Sequence, residues 1–476
     1  PASSLKADYP VTDGNHGGRV ILSRFGRRVS AFALLLAGGM AAVVADARPA
    51  AAQTSTVSAA DEAEYDAAFQ EMLRKPSDLD TLFKFAMIAS KTGNLEGAIS
   101  ALERMLVVDP DLPRIRLELG VLYYRLGSFQ VARRYFETTL KSDSLPPDVK
   151  SRAEQFLSES EKRLTRSRFS GEIFAGMRYQ SNANLGPPTS SVRLFGQAAN
   201  LNQAALGTAD WGAVTSGFVR HTYDLGQNNR AQLETQLSGY LNRQFQIQAA
   251  NVSILDLTSG PRFQAFQGIF EDVSLKPYGS VGYIWVNDVP YYGSFGSGLE
   301  VGTLLSDRLR NTTNFNWRRQ MYQNSWYLPA NNQFTGVEYT VNTTFQYQVN
   351  NALMLYANGN LQRYQTDSTP WQNYTLYGAG GGMSFSFADP LFKSQLPWSI
   401  SLFGNVQWWY YDQADAVVDP TVTRQQTDTI LNITLSVPFD QRTMFTVSGG
   451  RFVRSADIPN YAFTNNSALV GVTWRF

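Results

Sequence analysis

The stretch that decides the fold is Ser467-Ala-Leu-Val-Gly-Val-Thr-Trp-Arg-Phe476, the last ten residues of a 476-residue sequence. Successive side chains of a β-strand point to opposite faces of the sheet. One face of this stretch would be apolar and aromatic, with Ala468, Val470, Val472, Trp474 and Phe476. The other face would carry Leu469, Gly471, Thr473 and Arg475. The pattern predicts a strand with one face turned towards an apolar environment.

The same alternation recurs from Phe169 to the end of the sequence. In residues 334–348, for example, Val337, Tyr339 and Val341 alternate with Glu338 and Asn342. Apolar residues that alternate with polar ones over about ten positions are typical of a transmembrane β-barrel. Fourteen strands are predicted, near 169–180, 209–224, 230–243, 251–264, 273–287, 291–305, 309–322, 334–348, 352–366, 373–387, 397–412, 424–437, 442–455 and 463–476.

The terminal strand resembles the C-terminal signal strand of bacterial outer-membrane barrels, which ends in an aromatic residue. Val472, Trp474 and Phe476 are therefore predicted to form an assembly signal for the barrel assembly machinery. Short predicted turns at one end of the barrel alternate with longer loops at the other. Short turns are typical of the periplasmic side and longer loops of the outer side.

Polar residues on the opposite face of the predicted strands would line the barrel interior. The candidates are Glu234, Arg310, Arg318, Glu338 and Arg475. Each is interpreted either as a solvated side chain that sets the polarity of the interior or as a contact for a passing client.

A helical repeat precedes the predicted strands. Ser77–Pro110 and Asp111–Ser144 align with a period of about 34 residues, which is typical of tetratricopeptide repeats (TPR). Gly93 matches Gly127 in this alignment. TPR surfaces commonly bind peptides or proteins, and the candidates for lining such a groove are Leu82, Phe85, Tyr123 and Tyr124. The alternatives are that these residues pack helices together, or that the domain is a spacer or a plug.

The first 52 residues have the features of a secretory signal peptide. Arg24, Arg27 and Arg28 precede an apolar run over 31–45, and Ala50-Ala-Ala52 supplies small residues for cleavage. Three segments are therefore predicted: a signal peptide (1–52), a TPR-like helical domain (53–166) and a barrel (167–476). The predicted fold class is α+β multidomain, in which an N-terminal α-helical TPR-like domain is followed by a transmembrane antiparallel β-barrel of about 14 strands.

Composition argues against several classes of function. The net charge is +1, which gives no electrostatic basis for binding nucleic acid. The sequence has no cysteine, and its two histidines, His16 and His221, lie in different segments. Thiolate metal sites and disulfides are thereby excluded, and no nucleophile–base pair is evident. The sequence predicts no enzyme, no metal site and no cofactor.

The junction between the two domains resembles that of Slam, the surface lipoprotein assembly modifier family. Leu145-Pro-Pro-Asp-Val-Lys150 opens the last helix, and Gln180-Ser-Asn-Ala-Asn-Leu-Gly-Pro187 follows the first strand. The second string is similar to the Asp-Ser-Asn-(Val/Ala)-Asn turn of that superfamily, with Gln180 in place of the acidic residue. The resemblance implies a Gram-negative outer-membrane protein with a periplasmic helical domain. It also implies a client, a lipoprotein or a secreted haem-binding protein, that crosses the membrane.

Two other functions remain open at this stage. TPR-plus-barrel proteins also export exopolysaccharide, generally with longer repeat arrays and larger barrels. A small-solute porin is a further reading, which would leave the helical domain without a role. Under all three readings the barrel contacts outer-membrane lipids.

Overall fold

The computed structural model describes residues 59–142, 145–226, 231–265, 273–391 and 394–476. The predicted signal peptide (1–52) lies outside the described residues. The chain divides into two compact units between Arg166 and Ser167. None of the helices in the described residues is long and apolar enough to span a membrane.

The first unit is built from α-helices joined by short turns. Gly93 and Gly127 hold the turn inside each repeat at φ +85° and +81°, a conformation that favours glycine. Both glycines were matched by the 34-residue alignment, and the structure gives them the same role. The helices are α1 (Ala59–Arg74), α2 (Leu79–Lys91), α3 (Leu95–Val108), α4 (Pro113–Arg125), α5 (Phe129–Leu140) and α6 (Pro147–Leu164).

Small residues allow these helices to cross closely. A Cβ added to Gly120 would lie 2.4 Å from the ring of Phe136, which is itself fully buried. Ala98 and Ala132, which the repeat aligns, are both fully buried. The buried apolar residues fall into one cluster across α1–α4 and another across α4–α6. Each helix pair therefore buries its apolar stripe against its neighbours, as in other repeat proteins.

The second unit is a closed antiparallel barrel of fourteen strands. Neighbouring barrel strands follow one another along the chain, and β16 pairs with β1 to close the cylinder. Β1 precedes a separate two-stranded hairpin, β2–β3. The strands are β1 (Ser167–Gln180), β2 (Ser191–Leu194), β3 (Gln197–Asn200), β4 (Asp210–Asp224), β5 (Gln232–Gln244), β6 (Val252–Ala265), β7 (Val273–Val286), β8 (Val289–Ser306), β9 (Leu309–Tyr322), β10 (Gly336–Gln348), β11 (Leu353–Thr366), β12 (Tyr374–Phe387), β13 (Trp398–Tyr411), β14 (Gln425–Pro438), β15 (Thr443–Ala456) and β16 (Phe463–Arg475).

The predicted fold class and the number of barrel strands are confirmed. The hairpin β2–β3 lies between the predicted strands 169–180 and 209–224, where the sequence pattern predicts no strand. Its strands have only four residues each, which is too short to show the ten-residue alternation used to find the others.

The two faces of the barrel wall differ in chemistry. Apolar outward side chains are exposed on every side of the barrel, for example Leu241, Phe315, Leu431 and Trp474. An apolar outer surface on a closed barrel supports an outer-membrane location. We call the end that holds Ser167 and Phe476 the near end, and the opposite end the far end.

Candidate functional site

The five predicted interior residues all lie on the inner face of the barrel wall. Four of them bond to side chains from other strands, and Arg310 is exposed close to the near end of β9. The five belong to different strands, so they form several local networks around the wall.

Glu234 is the centre of a network across four strands. Its carboxylate accepts hydrogen bonds from Arg262 Nε at 2.6 Å and lies 2.9 Å from Lys276 Nζ. Arg262 also bonds to Glu300 at 2.6 Å. Glu234 and Lys276 are both buried, so their charges are compensated inside the wall and not by water.

Arg318 reaches across two strands to bond Asp256. The Nη1–Oδ2 distance is 2.9 Å, and the pair passes over Gly282, where a Cβ would lie 2.7 Å from the carboxylate. The side chain of Tyr278 likewise lies over Gly298, where a Cβ would be 2.4 Å from the phenol oxygen. Glycine on the inner face therefore makes room for side chains that lie flat against the wall.

Glu338 is a buried carboxylate whose closest partners are amides. Gln362 Nε2 donates to it at 2.8 Å and Gln320 Nε2 at 3.1 Å. Gln362 also donates to the hydroxyl of Tyr374 at 2.8 Å. This network joins the polar interior to a group of aromatic residues near the far end.

Asp428 and Arg454 form a fully enclosed ion pair. Both bonds, from Nε and Nη2, measure 2.6 Å, and Asp428 has no exposed surface. The guanidinium also lies 5.2 Å from the centroid of the Phe463 ring. Two parallel hydrogen bonds between charged groups in a buried setting add a strong side-chain contact to the backbone pairing of β14 with β15.

Aromatic side chains fill the far half of the interior. Tyr374 lies 4.9 Å from Trp409 and 5.5 Å from Tyr411, measured between ring centroids. Tyr292 and Tyr364, on β8 and β11, are also buried. Inward residues of β4–β8 share one cluster of buried side chains with the loop between β9 and β10, so the interior is packed at this level.

Two far-end loops add to this packing. Tyr327 and Leu328, from the loop between β9 and β10, are buried against inward residues of β4–β8 such as Val252 and Tyr292. Asn331 holds the loop in place, because its Nδ2 donates to the carbonyl oxygens of Tyr291 and Gln323.

The second loop begins with the asparagine-rich string that follows β1. Asn182 Nδ2 donates to the Gly186 carbonyl at 2.9 Å, and the Gly186 amide donates back to Asn182 Oδ1 at 2.9 Å. Asn184 bonds to Leu206 and Thr208, at the other end of the loop. Leu185 packs in a cluster with Phe463. The asparagine side chains therefore fold the loop on itself, while Leu185 and the Asn182 backbone amide, which donates to Asn465 Oδ1, hold it against the inner wall.

The near half of the interior is more open. Inward residues such as Asn342 on β10 and Arg310 on β9 are exposed, and Gln346 is half-buried. The interior is therefore a polar space that is accessible from the near end and closed by aromatic packing towards the far end.

The predicted assembly signal lies on the outer face of β16. Val472, Trp474 and Phe476 are all about equally exposed there, and the rings of Trp474 and Phe476 stack at 5.0 Å. The Phe476 amide donates to the Gly171 carbonyl at 3.1 Å, and the Gly171 amide donates to Phe476 O at 3.0 Å. Arg475 bonds Glu172 on the inner face at 2.8 Å. The last residues thus close the barrel against β1.

The predicted client-binding residues occupy different environments. Leu82 and Phe85 are 0% and 2% exposed in the helical core, so the prediction that they line a groove does not hold for these two side chains. They fill the contact between α2 and its neighbours, which is the packing role that the sequence left open.

The two tyrosines are partly buried. Tyr123 donates a hydrogen bond to Glu103 at 2.7 Å, and burial together with this bond raises the pKa of Tyr123 to about 12. Tyr124 contacts the rings of Phe129 and Phe156. Each tyrosine exposes part of its surface but contributes to packing between helices.

Charged side chains on equivalent helices pair with each other. Arg114 bonds Asp148 at 2.8 Å, and Arg152 bonds Glu118 at 3.1 Å; each pair is 34 residues apart. The hydrogen bond from Arg114 lowers the pKa of Asp148. Three large apolar side chains on the first three helices are exposed to solvent, namely Leu73, Met87 and Val107.

Sequence reasoning missed most of the partners in the interior, such as Arg262, Lys276, Asp256, Asp428 and Arg454. Their positions agree with the two-residue period once the strand bounds are known. For β6 the pattern was too weak to fix the register. The bonds that skip a strand, such as Arg318 to Asp256, have no signal in the sequence.

Comparison with protein-family models identifies the repeat type of the helical domain. A tetratricopeptide repeat model matches residues 74–156. No curated protein matches the sequence. The solved structure of MamA has 15% identity and a TM-score of 0.19; the match covers 22% of this chain and 55% of MamA. The chain thus spans about half the length of that relative.

Two solved barrel structures are similar to the second unit. A bacterial polysaccharide outer membrane secretin has 9% identity and a TM-score of 0.34, over 64% of this chain and 98% of that one. An anion-selective porin from Comamonas acidovorans has 8% identity and a TM-score of 0.33, over 65% and 99%. At these values the likeness carries no information about function. The chain is therefore a TPR domain followed by a closed fourteen-stranded barrel.

Proposed function

We propose that this protein is an outer-membrane translocator that delivers a lipoprotein or a secreted protein to the cell surface. The observation that carries the proposal is the direct connection of a TPR domain to a barrel, with two residues, Thr165 and Arg166, between α6 and β1. The helical domain would dock the client in the periplasm, and the barrel would pass it. Its insertion would depend on the barrel assembly machinery.

Because the far half of the interior is closed, a translocator with a gated path fits better than a porin with a permanently open channel. A porin for small solutes needs a continuous aqueous channel. Here Tyr292, Tyr374 and Leu328 are buried where such a channel would run. The near half offers a polar, water-accessible space in which a client could begin its passage. Movement of the far-end loops would open the path.

The client surface of the helical domain is proposed to include its exposed apolar side chains. Leu73 and Val107 are 34 residues apart and are 55% and 82% exposed, and Met87 is 49% exposed. Apolar residues exposed in this way are common at surfaces that bind another protein. The paired charges between α4 and α6 would keep the helices in register and leave the apolar residues to contact the client.

Photo-cross-linking from two adjacent residues tests whether a client passes through the barrel. Asn342 faces the interior and is exposed, and Val341 is its outward neighbour on β10. A photoreactive residue at position 342 is expected to form adducts with a protein client in cells that are exporting it. The same residue at position 341 should react with lipid alone, because it faces the membrane.

Client adducts from position 341 and none from position 342 would contradict a path through the interior. Polysaccharide adducts from position 342 in place of protein would instead identify an exopolysaccharide exporter. The folded state of both variants is checked by the shift of the unheated barrel on a denaturing gel.

A further inference from the structure

Charged residues are divided unequally between the two faces of the barrel wall. Among the barrel strands that the structure describes, every aspartate and glutamate occupies an inward register. These residues are Glu172, Asp210, Asp224, Glu234, Asp256, Glu300, Glu338 and Asp428. The outward registers of the same strands carry four arginines and no acidic residue. They are Arg243, Arg319, Arg363 and Arg451.

All four outward arginines lie in the far half of their strands. Arg243 is next to the last residue of β5, and Arg319 and Arg363 lie near the far ends of β9 and β11. A charge on the lipid face costs about 2–4 kcal/mol at the midplane but only about 0–1 kcal/mol near the interface. Arg243, Arg319 and Arg363 therefore lie beside the headgroups of one leaflet. Arg451 is the ninth of the fourteen residues of β15, and it pairs with Asn466, where the outward apolar residues of β16 give way to polar ones.

Three of these arginines have carboxylate partners in far-end loops. Arg243 bonds Asp288 at 3.1 Å, and Arg319 and Arg363 make paired bonds to Asp367 and Asp412. Each of these pairs joins one strand to a loop further along the wall. Their positive charge is largely neutralised.

Arg451 differs from the other three. Its contact in the described part of the chain is a hydrogen bond of 3.5 Å to Asn466, a neutral side chain on β16, and no aspartate or glutamate within that part pairs with it. The side chain is exposed on the lipid face. An exposed guanidinium without a carboxylate at this depth needs an anion from its surroundings.

The neighbouring surface fits the acyl chain of a lipid. Gly449 and Ala468 face each other across β15 and β16, immediately next to Arg451, and leave a shallow surface. Leu431 and Val470 border it and are exposed. An acyl chain could lie over the two small residues while its headgroup meets the arginine.

We propose that Arg451 and Asn466 bind a phosphate group of lipid A in the outer leaflet. Arginine is suited to this role, since its planar guanidinium donates two parallel hydrogen bonds to phosphate. Asn466 would donate a further bond from its amide. Lipid A carries phosphates on a rigid sugar headgroup with several acyl chains, which matches a charge above an apolar surface. The assignment rests on the outer-membrane orientation given under the proposed function.

Native mass spectrometry of the full chain in detergent tests this site. The probes are lipid A, dephosphorylated lipid A and phosphatidylglycerol, each added separately. The wild-type protein is expected to retain lipid A in preference to the other two. Arg451→Gln should lower lipid A retention about fivefold, the effect of one arginine near a headgroup layer. Arg310→Gln, an inward arginine near the other end, is the matched control and should bind as the wild type does.

Equal lipid A retention by Arg451→Gln and the wild-type protein would overturn the proposal. Equal retention of dephosphorylated lipid A would also overturn it, because the phosphate would then be irrelevant. Equal retention of phosphatidylglycerol would assign the site to a phospholipid and reject lipid A. The measurement is independent of export. If lipid A is not retained but the client is displayed normally, the lipid site is rejected and the translocator function is not. If lipid A is retained as expected but no client is displayed, the translocator function alone is rejected.

Discussion

Removal of Trp474-Arg475-Phe476 is expected to prevent stable insertion of the barrel into the outer membrane. The deletion removes both backbone hydrogen bonds between Phe476 and Gly171 and the bond from Arg475 to Glu172. It also leaves the near end of β1 with exposed backbone groups on the side that β16 had covered. Unpaired backbone groups in lipid cost several kcal/mol each. Membrane fractionation, together with the gel shift of the folded barrel, measures the outcome.

Phe439→Ala is the control for this deletion. Phe439 is an exposed aromatic residue in the near-end turn between β14 and β15, and it takes no part in the pairing of β1 with β16. This variant should insert normally. If the truncated protein reached the membrane in normal amounts and with a normal gel shift, the role given to the terminal strand would be wrong.

Replacement of Asp428 by alanine is expected to destabilise the barrel by about 3–5 kcal/mol, the usual result of leaving one buried charge without its partner. Arg454 is 4% exposed and surrounded by the rings of Trp409, Phe452 and Phe463, so water cannot replace the carboxylate. The free energy of unfolding in lipid vesicles, measured by urea titration, reports the change.

Asp367→Ala provides the matched comparison. It breaks a paired arginine–aspartate contact of similar geometry, but Asp367 is half exposed, and the loss should be about 0–1 kcal/mol. The double variant Asp428→Leu with Arg454→Met should recover much of the stability, because no buried charge is left. Equal losses for Asp428→Ala and Asp367→Ala would show that burial of the Asp428–Arg454 pair has been misjudged.

The inward and outward faces of the barrel strands could be predicted because the alternation depends only on residues that are close together in the sequence. Each transmembrane strand must place apolar side chains outward at every second residue, so Val341 and Asn342 already indicate their faces in the sequence. The repeat was predictable for the same reason, since Gly93 and Gly127 meet the same backbone requirement one period apart. In both cases the signal depends on neighbours within a few residues or on a fixed period.

The interior and the far-end loops depend on contacts between distant parts of the chain. Arg318 can bond Asp256 only because the three strand registers between β6 and β9 bring them together and Gly282 leaves space between them. The sequence string around Asn182 and Leu185 predicts a turn, but it does not predict their contacts with Asn465 and Phe463 of β16. Leu82 and Phe85 show the limit in the helices, because buried and groove-lining positions can share one helical face.

The measurement that tests the central claim most directly is surface display of a protein client after deletion of residues 58–165. The barrel forms a separate compact unit from Ser167 onward, so it is expected to remain folded in the membrane. Surface labelling of proteins made from the same locus is compared between deletion and parent strains, alongside an assay of polysaccharide export. We predict that display of one lipoprotein or secreted protein is lost while the barrel keeps its gel shift and polymer export is unchanged. Unchanged display of every candidate together with a fall in polymer export would contradict the account.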